Sequence, residues 1–418
     1  DVLPAGGDLH ILLWGSPHIG QGLDQVQTVC SQRGGEFARL VQLQVDHLRN
    51  GAHVSLSQSS DFYLRDLKLY IFFSVTKSHK DANIAALVQY REDVANSLKS
   101  IKLASEIVHV ETLISFLSDI LSQNQKLNRD PISYNPLDPI SQQITDYEQI
   151  VDIKPHGLVF KKEANTREAR CFSVKQFPKM VTQWQMNDAI GQLFNAQLQI
   201  PCPYLVSLNI RLLDKEKSNN QVQTKILGKD GKAKNSQMLN WLPSLGGEYK
   251  DWQFIRDRLA EGDRLVHTYY QVILFDAPKN IARSERKIRD LYQSNGWKLQ
   301  SDVYLQLQSF LAAMPMMCSE GLYDDLKHFK RLRTMTAFNA INIAPLQGEW
   351  KGYHNPLLVL PGRRGQLCWW DPFANDQGNY NVAIAAGSGK GKSAFVQYYI
   401  MSLLGSGGRC WVVDIGHS

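Results

Sequence analysis

Cysteine is sparse in this sequence, with six in 418 residues, and no two of them form a CxxC pair. Structural zinc sites usually place two cysteines within a few residues of each other. The eleven histidines are equally dispersed and show no HxxxH or HExxH spacing. The pattern therefore argues against a zinc site, and scattered thiols with apolar neighbours are typical of a reducing cytosol.

Long hydrophobic runs are also absent. A helix that spans a bilayer needs about 20 consecutive apolar residues, whereas apolar runs here, such as Leu9–Trp14 and Tyr70–Phe73, have the length of buried strands. We therefore predict no transmembrane segment and only peripheral membrane association. The sequence begins at Asp1 with neither an initiating methionine nor a signal peptide, so we expect a chain that is cut at both ends.

A strong excess of charge of one sign is missing as well. The 46 basic and 40 acidic residues leave a net charge of +6, which is too weak to predict nucleic-acid binding by itself. An apolar content of 43% is typical of a globular protein. At about 150 residues per domain, the length predicts two to three domains.

The hydrophobic periodicity predicts a fold of class α/β that begins with an α/β domain over residues 1–140. A proline-rich segment, Asn128–Ser141, marks its end. The elements predicted within it are the strands Leu9–Gly15 and Leu67–Thr76 and the helices Ser31–Gly51, Asn83–Ile101 and Val110–Gln123.

A second, α+β region is predicted over residues 141–343, and a third region over 344–418. Within the second, the polar, lysine-rich segment 217–237 predicts a mobile excursion. The third region opens with two apolar runs around Pro361–Gln366, which predict a β-hairpin. Further elements predicted in the second region are strands at 157–162, 167–178, 201–214 and 264–276, a short helix at 185–195, and a charged helix that opens Ile281–Leu299 and ends near Asn295.

The most informative stretch is a glycine loop, Ala386–Ser393, with the sequence AGSGKGKS. Asn381–Ala386 before it predicts a buried parallel strand, and Ser393–Gly405 after it predicts a buried helix with a glycine stop. Arg409–Gly416 predicts a second buried strand. The order strand, glycine loop, helix, strand is the context that a phosphate-binding loop requires.

Each residue type in this glycine loop suits a triphosphate. Glycines allow positive φ and leave room for phosphate oxygens beside the backbone amides. Lys392 is placed to reach the β and γ phosphates of ATP, and Ser393 to ligate Mg²⁺. The predicted ATP-binding residues are Ala386, Gly387, Ser388, Gly389, Lys390, Gly391, Lys392 and Ser393.

Three positions complicate the assignment. Ala386 takes the place of the first glycine in the pattern GxxxxGK[ST], and its methyl group is tolerable if φ is negative. Lys390 is a second cation that we expect to be solvated. Asp414 superficially matches the acid of a Walker B strand, but we favour a role in shaping the loop at the end of that strand. The catalytic residues remain unassigned, so the machinery for hydrolysis is incomplete in this sequence.

From Pro345 onward the sequence resembles the TraC-type ATPases of F-like conjugative type IV secretion systems, which are similar to FtsK–HerA-type P-loop motors. The N-terminal segments LHILLWG and SVTK resemble the dedicated N-terminal region of that family. The segments that carry the resemblance in the C-terminal part are PLQGEWKG (Pro345–Gly352), GRRGQ (Gly362–Gln366), DPFANDQGNYN (Asp371–Asn381), the glycine loop, and VVDIGHS (Val412–Ser418).

This resemblance implies an N-terminal docking region followed by the start of a RecA-like P-loop NTPase domain, truncated at its C-terminus. It implies a homo-hexamer on the cytoplasmic face of the inner membrane that uses ATP and Mg²⁺ to energise pilus assembly and export. The implied partners are inner-membrane secretion-complex proteins and, indirectly, transferred DNA or relaxase. A DNA translocase of the same superfamily and a non-catalytic scaffold that binds nucleotide structurally remain alternatives.

Overall fold

The computed structural model describes residues 3–75, 84–122, 133–163, 165–233, 244–353, 356–375 and 378–413. Its largest element is a nine-stranded sheet. The strands of this sheet are β1 (Asp8–Ser16), β2 (Asp66–Ser74), β3 (Ile150–Lys154), β4 (Gly157–Lys162), β5 (Asn165–Gln176), β6 (Tyr204–Leu212), β7 (Leu265–Asp276), β8 (Lys298–Ser301) and β9 (Arg333–Thr336).

The sheet has the order β2-β1-β6-β7-β5-β4-β3, with β8 also paired to β5 and β9 to β7. Every pairing between these strands is antiparallel. The predicted mixture of helices and strands is therefore confirmed, in an antiparallel arrangement.

Helices cover both faces of the sheet and form a separate layer beside it. They are α1 (Gly20–Cys30), α2 (Gly35–Asn50), α3 (Ile84–Ser100), α4 (Val110–Leu121), α5 (Ile140–Ile144), α6 (Lys215–Ala233), α7 (Ser244–Ala260), α8 (Ile281–Ser294), α9 (Gln306–Ala312), α10 (Tyr323–His328), α11 (Ala337–Asn342) and α12 (Lys392–Gly405). A 3₁₀ helix spans Gln183–Ile190 and a π-helical turn spans Cys318–Leu322. Among the described residues, no helix combines the length and the apolar character needed to cross a membrane.

The central strands are buried on both faces because apolar side chains alternate between two cores. In β1, Ile11 and Leu13 point into one core and Leu12 and Trp14 into the other. Helix α8 packs on the first face, whereas α4 and α9 pack on the second. This double burial explains why these strands are nearly continuous apolar runs in the sequence.

The sheet joins strands from both sides of the domain boundary predicted near residue 140. Strand β1 pairs with β2 on one edge and, from Asp8 to Gly15, with β6 on the other. Because a strand buried on both faces satisfies its backbone groups best between two neighbours, β1 lies inside the sheet, not at the edge of a separate one.

Most of the elements predicted before residue 344 are confirmed, and a clear difference lies in the segment 217–237. It was expected to be a mobile excursion, yet its residues up to Ala233 lie in helix α6, and residues 234–237 lie outside the described part of the chain. Val222 and Ile226 are buried one helical turn apart, against Leu265. This short apolar stripe, covered by the paired helix α7, is the physical reason for a helix in a polar segment.

A third core joins the first helices to the C-terminal region. It holds α1, α2, α12 and a predicted hairpin, now confirmed, of strands β10 (Leu358–Pro361) and β11 (Leu367–Trp370). Contact is close, since a Cβ on Gly22 of α1 would lie 2.3 Å from the ring of Trp369. In the turn of the hairpin, Gly365 has a φ of 87°, and a Cβ there would lie 2.0 Å from the carbonyl oxygen of Tyr63.

Candidate functional site

The glycine loop leads directly into helix α12. Gly391 is the residue before the helix and adopts the left-handed conformation, with a φ of 86°, and Gly389 has a φ of 71°. Both conformations favour glycine, and a Cβ at either position would meet no other atom within 4 Å. The space above the loop is therefore open, as a site that admits a polyphosphate from solvent requires.

The first turn of α12 presents free backbone donors. In the described chain, the amides of Lys392, Ser393 and Ala394 have no hydrogen-bond acceptor, whereas the amide of Phe395 donates to the carbonyl oxygen of Gly391 at 2.9 Å. Unpaired amides at a helix N-terminus, together with the helix dipole, favour an anion.

Two ammonium groups accompany these amides. Lys390 and Lys392 are exposed, and neither makes an ion pair with a carboxylate within the described ranges. The amide of Lys390 donates to the carbonyl oxygen of Gly387 at 3.3 Å, which closes the turn of the loop. Donors and cations without an anionic partner are the chemistry of a phosphate cradle.

Tyr398 fixes the middle of α12. Its hydroxyl accepts hydrogen bonds from the amide of Val359 at 3.0 Å and from Nε2 of Gln44 at 2.7 Å, and it donates to the carbonyl oxygen of Val359 at 3.3 Å. Burial raises the pKa of Tyr398, so the phenol keeps the proton that it donates. One hydroxyl therefore joins α12 to both β10 and α2.

The far end of α12 lies against the main chain after α1. The amide of Arg33 donates to the carbonyl oxygen of Gly405 at 3.0 Å. A Cβ at Gly405 would lie 2.3 Å from the carbonyl oxygen of Cys30, so only glycine fits here. The thiol of Cys30 in turn donates to the carbonyl oxygen of Leu357, just before β10, at 3.3 Å. The C-terminal end of α12 is thus held by the N-terminal helices.

Aromatic rings pack beside the first half of α12. The ring of Trp370 stacks on Phe395 with centroids 6.1 Å apart and a 23° angle between planes, and it lies 6.2 Å from Tyr399. Such offset stacking stabilises the helix through dispersion and excluded water. The side chain of Trp370 therefore supports the helix that follows the glycine loop.

The contacts of Tyr398, Gly405 and Trp370 that hold α12 were not predicted from the sequence. The apolar pattern of α12 predicted its start and its glycine stop, both confirmed, but it also predicted burial all round. Only one side packs, and Met401 on another side is 38% exposed. A tyrosine within an apolar helix needs a partner for its hydroxyl, and that need was the available signal for Tyr398.

Both strands predicted beside α12 are wrong for the described residues. Residues 381–386 form no strand and are exposed, and residues 409–413 form none either, with Trp411 83% exposed. A parallel strand needs a neighbour for its backbone groups, and no described strand lies beside either segment. Asp414, considered above as a Walker B acid, lies outside the described residues.

Comparison with known proteins gives two matches. A family model described as TraC protein matches residues 1–318. A curated relative named Protein TraC, from Escherichia coli (strain K12), is 26% identical over 368 residues, which covers 84% of this chain and 41% of the relative. The chain thus spans about two fifths of the length of that relative.

Proposed function

Because this chain belongs to the TraC protein family, we propose that it is the ATP-binding part of a motor that energises pilus assembly and substrate export in a conjugative type IV secretion system. The proposal includes a RecA-like P-loop domain that begins in residues 344–418. It also includes assembly into a homo-hexamer on the cytoplasmic face of the inner membrane. There the N-terminal region, which contains the nine-stranded sheet, docks on secretion-complex proteins.

The observation that carries the proposal is the glycine loop at the mouth of α12. The free amides at residues 392–394 would bind phosphate oxygens, the ammonium group of Lys392 would contact the β and γ phosphates, and the hydroxyl of Ser393 would ligate Mg²⁺. Bound ATP would supply an activated γ-phosphoryl group. The open space over Gly389 and Gly391 fits such a ligand.

The docking role of the N-terminal region rests on its packing. Helices α1 and α2 contact the helix that follows the loop, so in this proposal the N-terminal region would position the nucleotide site. In this proposal, hydrolysis also needs a carboxylate to position water and a cation to stabilise the transition state.

Titration of a fluorescent ATP analogue in the presence of Mg²⁺ tests the site. Lys392→Ala is expected to weaken binding about tenfold or more, because it removes a charge-assisted contact worth roughly 1.5–3 kcal/mol. Lys99→Ala is the control: it removes the same charge from an exposed position of α3, outside the glycine loop, and is expected to leave the affinity nearly unchanged. Equal losses in the two variants would mean that general positive charge, not a cradle, holds the ligand.

A transfer assay distinguishes a motor from a scaffold. In cells that carry the intact gene product, Lys392→Ala is expected to abolish conjugative transfer while the protein still assembles into the secretion complex. Normal transfer by this variant would favour a scaffold in which nucleotide has only a structural role.

A further inference from the structure

A buried arginine, Arg65, lies where the sheet meets the hairpin β10–β11. Its side chain is 3% exposed, just before strand β2. Nη1 donates to the carbonyl oxygens of Ala52 and Leu64, each at 2.7 Å, and Nη2 donates to the carbonyl oxygen of Pro201 at 3.4 Å. The guanidinium group thus joins three segments of the chain through neutral acceptors.

No carboxylate forms a direct ion pair with this guanidinium group in the described part of the molecule, and Asp276 acts on it only from a distance. Its acceptors are all backbone carbonyls, and its Nε has no hydrogen-bond partner. The ring of Tyr63, 5.4 Å away, offers a cation–π contact but no negative charge. Burial lowers the pKa of Arg65 to about 10, so the group is still charged at neutral pH. A buried charge without a counter-charge is costly, and proteins normally pair it.

A small cavity adjoins Arg65. Its volume is about 250 Å³ when the space open to solvent is included, and its polar lining comes from Asp61, Tyr63, Arg65, Gln199, Tyr204 and Arg364. The enclosed part has room for about one water-sized particle.

The charges around this cavity sum to a positive value. Asp61 is already paired with Arg283 at 2.5 Å and Lys287 at 3.5 Å, and Glu349 lies 3.9 Å from Arg364. Asp276 also acts on Arg65 electrostatically, so with Arg65 and Arg364 on the wall these groups comprise four cations and three carboxylates. Burial raises the pKa of the Glu349 carboxyl group.

We propose that this cavity is a binding site for a small inorganic anion of the size of chloride, held by Nε of Arg65 and the field of Arg364. A water molecule would satisfy the free N–H group but would leave the guanidinium group without a negative charge in direct contact. Only a particle that is both small and negative meets both requirements.

The site lies at a structural junction. The amide of Arg65 donates to the carbonyl oxygen of Gly365 at 2.9 Å, and the amide of Leu67 to Oε1 of Gln366 at 2.7 Å. Both acceptors belong to the hairpin β10–β11, on which α12 packs. The anion therefore stabilises the attachment of this hairpin to the sheet.

Anomalous scattering from crystals of the 418-residue protein grown in bromide tests the site directly. The expected result is a bromide peak inside the cavity, at hydrogen-bond distance from Nε of Arg65. A water-like peak without anomalous signal, or no peak there, would overturn the proposal even if every variant of Arg65 failed to fold.

Unfolding in solution gives an independent test. At constant ionic strength, chloride is exchanged for gluconate, which is too large for the cavity. Once the chloride concentration exceeds the dissociation constant of the site, each further tenfold rise in that concentration should raise the folding equilibrium constant about tenfold.

Two variants separate this binding from general salt effects. Arg65→Gln keeps donors for the carbonyls but lacks the charge, and it should lose the chloride dependence. Arg170→Gln is the matched control, because Arg170 is paired with Glu168 and Glu285; it should keep the dependence at lower overall stability. The same chloride dependence in Arg65→Gln as in the unmodified protein would contradict the proposal.

Discussion

Single hydrogen-bonding groups decide how the helix after the glycine loop is held. The hydroxyl of Tyr398 satisfies both backbone groups of Val359, which is 2% exposed, and the side chain of Gln44. These partners are distant in sequence, so the composition of α12 predicted a helix but could not identify what it contacts. The loop residues could be proposed from the sequence alone because their spacing is local, and their role in binding ATP stays a prediction.

Tyr398→Phe is therefore expected to lower the free energy of unfolding by about 1–3 kcal/mol, since it leaves buried donors and an acceptor without a partner. Urea denaturation measures the change. Tyr380→Phe removes a hydroxyl from a ring that is 51% exposed and should have little effect. Similar losses in both variants would show that the buried hydrogen bonds contribute nothing specific.

At the scale of elements, periodicity predicted most helices and strands well. Helix α2 ends at Gly51 and the hairpin turns between Pro361 and Leu367, as the glycine and proline signals indicate. The strand expected at 381–386, and the described part, 409–413, of the strand expected at 409–416, were wrong because an apolar run becomes a strand only beside a pairing partner. Local sequence reports the tendency of a segment and not the presence of its neighbour.

Two identical substitutions with opposite expected effects test the packing of helices. Gly405→Ala places a methyl group against the carbonyl oxygen of Cys30 and should destabilise the protein by about 1–3 kcal/mol. Gly228→Ala, in α6, meets nothing within 4 Å and should stabilise it by about 1 kcal/mol through helix propensity. Denaturation midpoints measure both, and hydrogen exchange should locate the first effect in α12. Stabilisation by Gly405→Ala would contradict the close approach.

At the scale of the whole molecule, the pairing of strands that are distant in the chain could not be predicted from the sequence. Proline-rich residues near 128–141 predicted a boundary, yet β1 pairs with β6 almost 200 residues later. The buried His10 marks this junction, because its Nε2 lies 2.8 Å from the hydroxyl of Ser207. Neither residue carries a local signal for the other, so only the folded sheet reveals their contact.

The stability of the protein should fall in mild acid because of His10. Burial lowers its pKa from 6.5 to about 3, so between these values the unfolded chain binds a proton that the folded chain does not. Stability from this group is complete above pH 6.5 and falls by about 1.4 kcal/mol per pH unit below it. Denaturant titrations from pH 7 to pH 4 measure the slope.

His10→Asn should remove the part of this slope that comes from one proton, about 1.4 kcal/mol per pH unit. His156→Asn, at the exposed turn between β3 and β4, should preserve the slope. An unchanged slope in His10→Asn would mean that other groups account for the acid sensitivity.

The clamp at the far end of α12 has a mechanical consequence. Because Gly405 lies in main-chain contact with residues 30–33 and Tyr398 is bonded to Gln44 of α2, helix α12 is coupled to the first two helices at its middle and at its end. The helix is 14 residues long, or about 21 Å, so a tilt of about 5° about its C-terminal end would displace Lys392 by roughly 2 Å. A displacement of that size at the glycine loop would strain these contacts and so would be transmitted to α1 and α2.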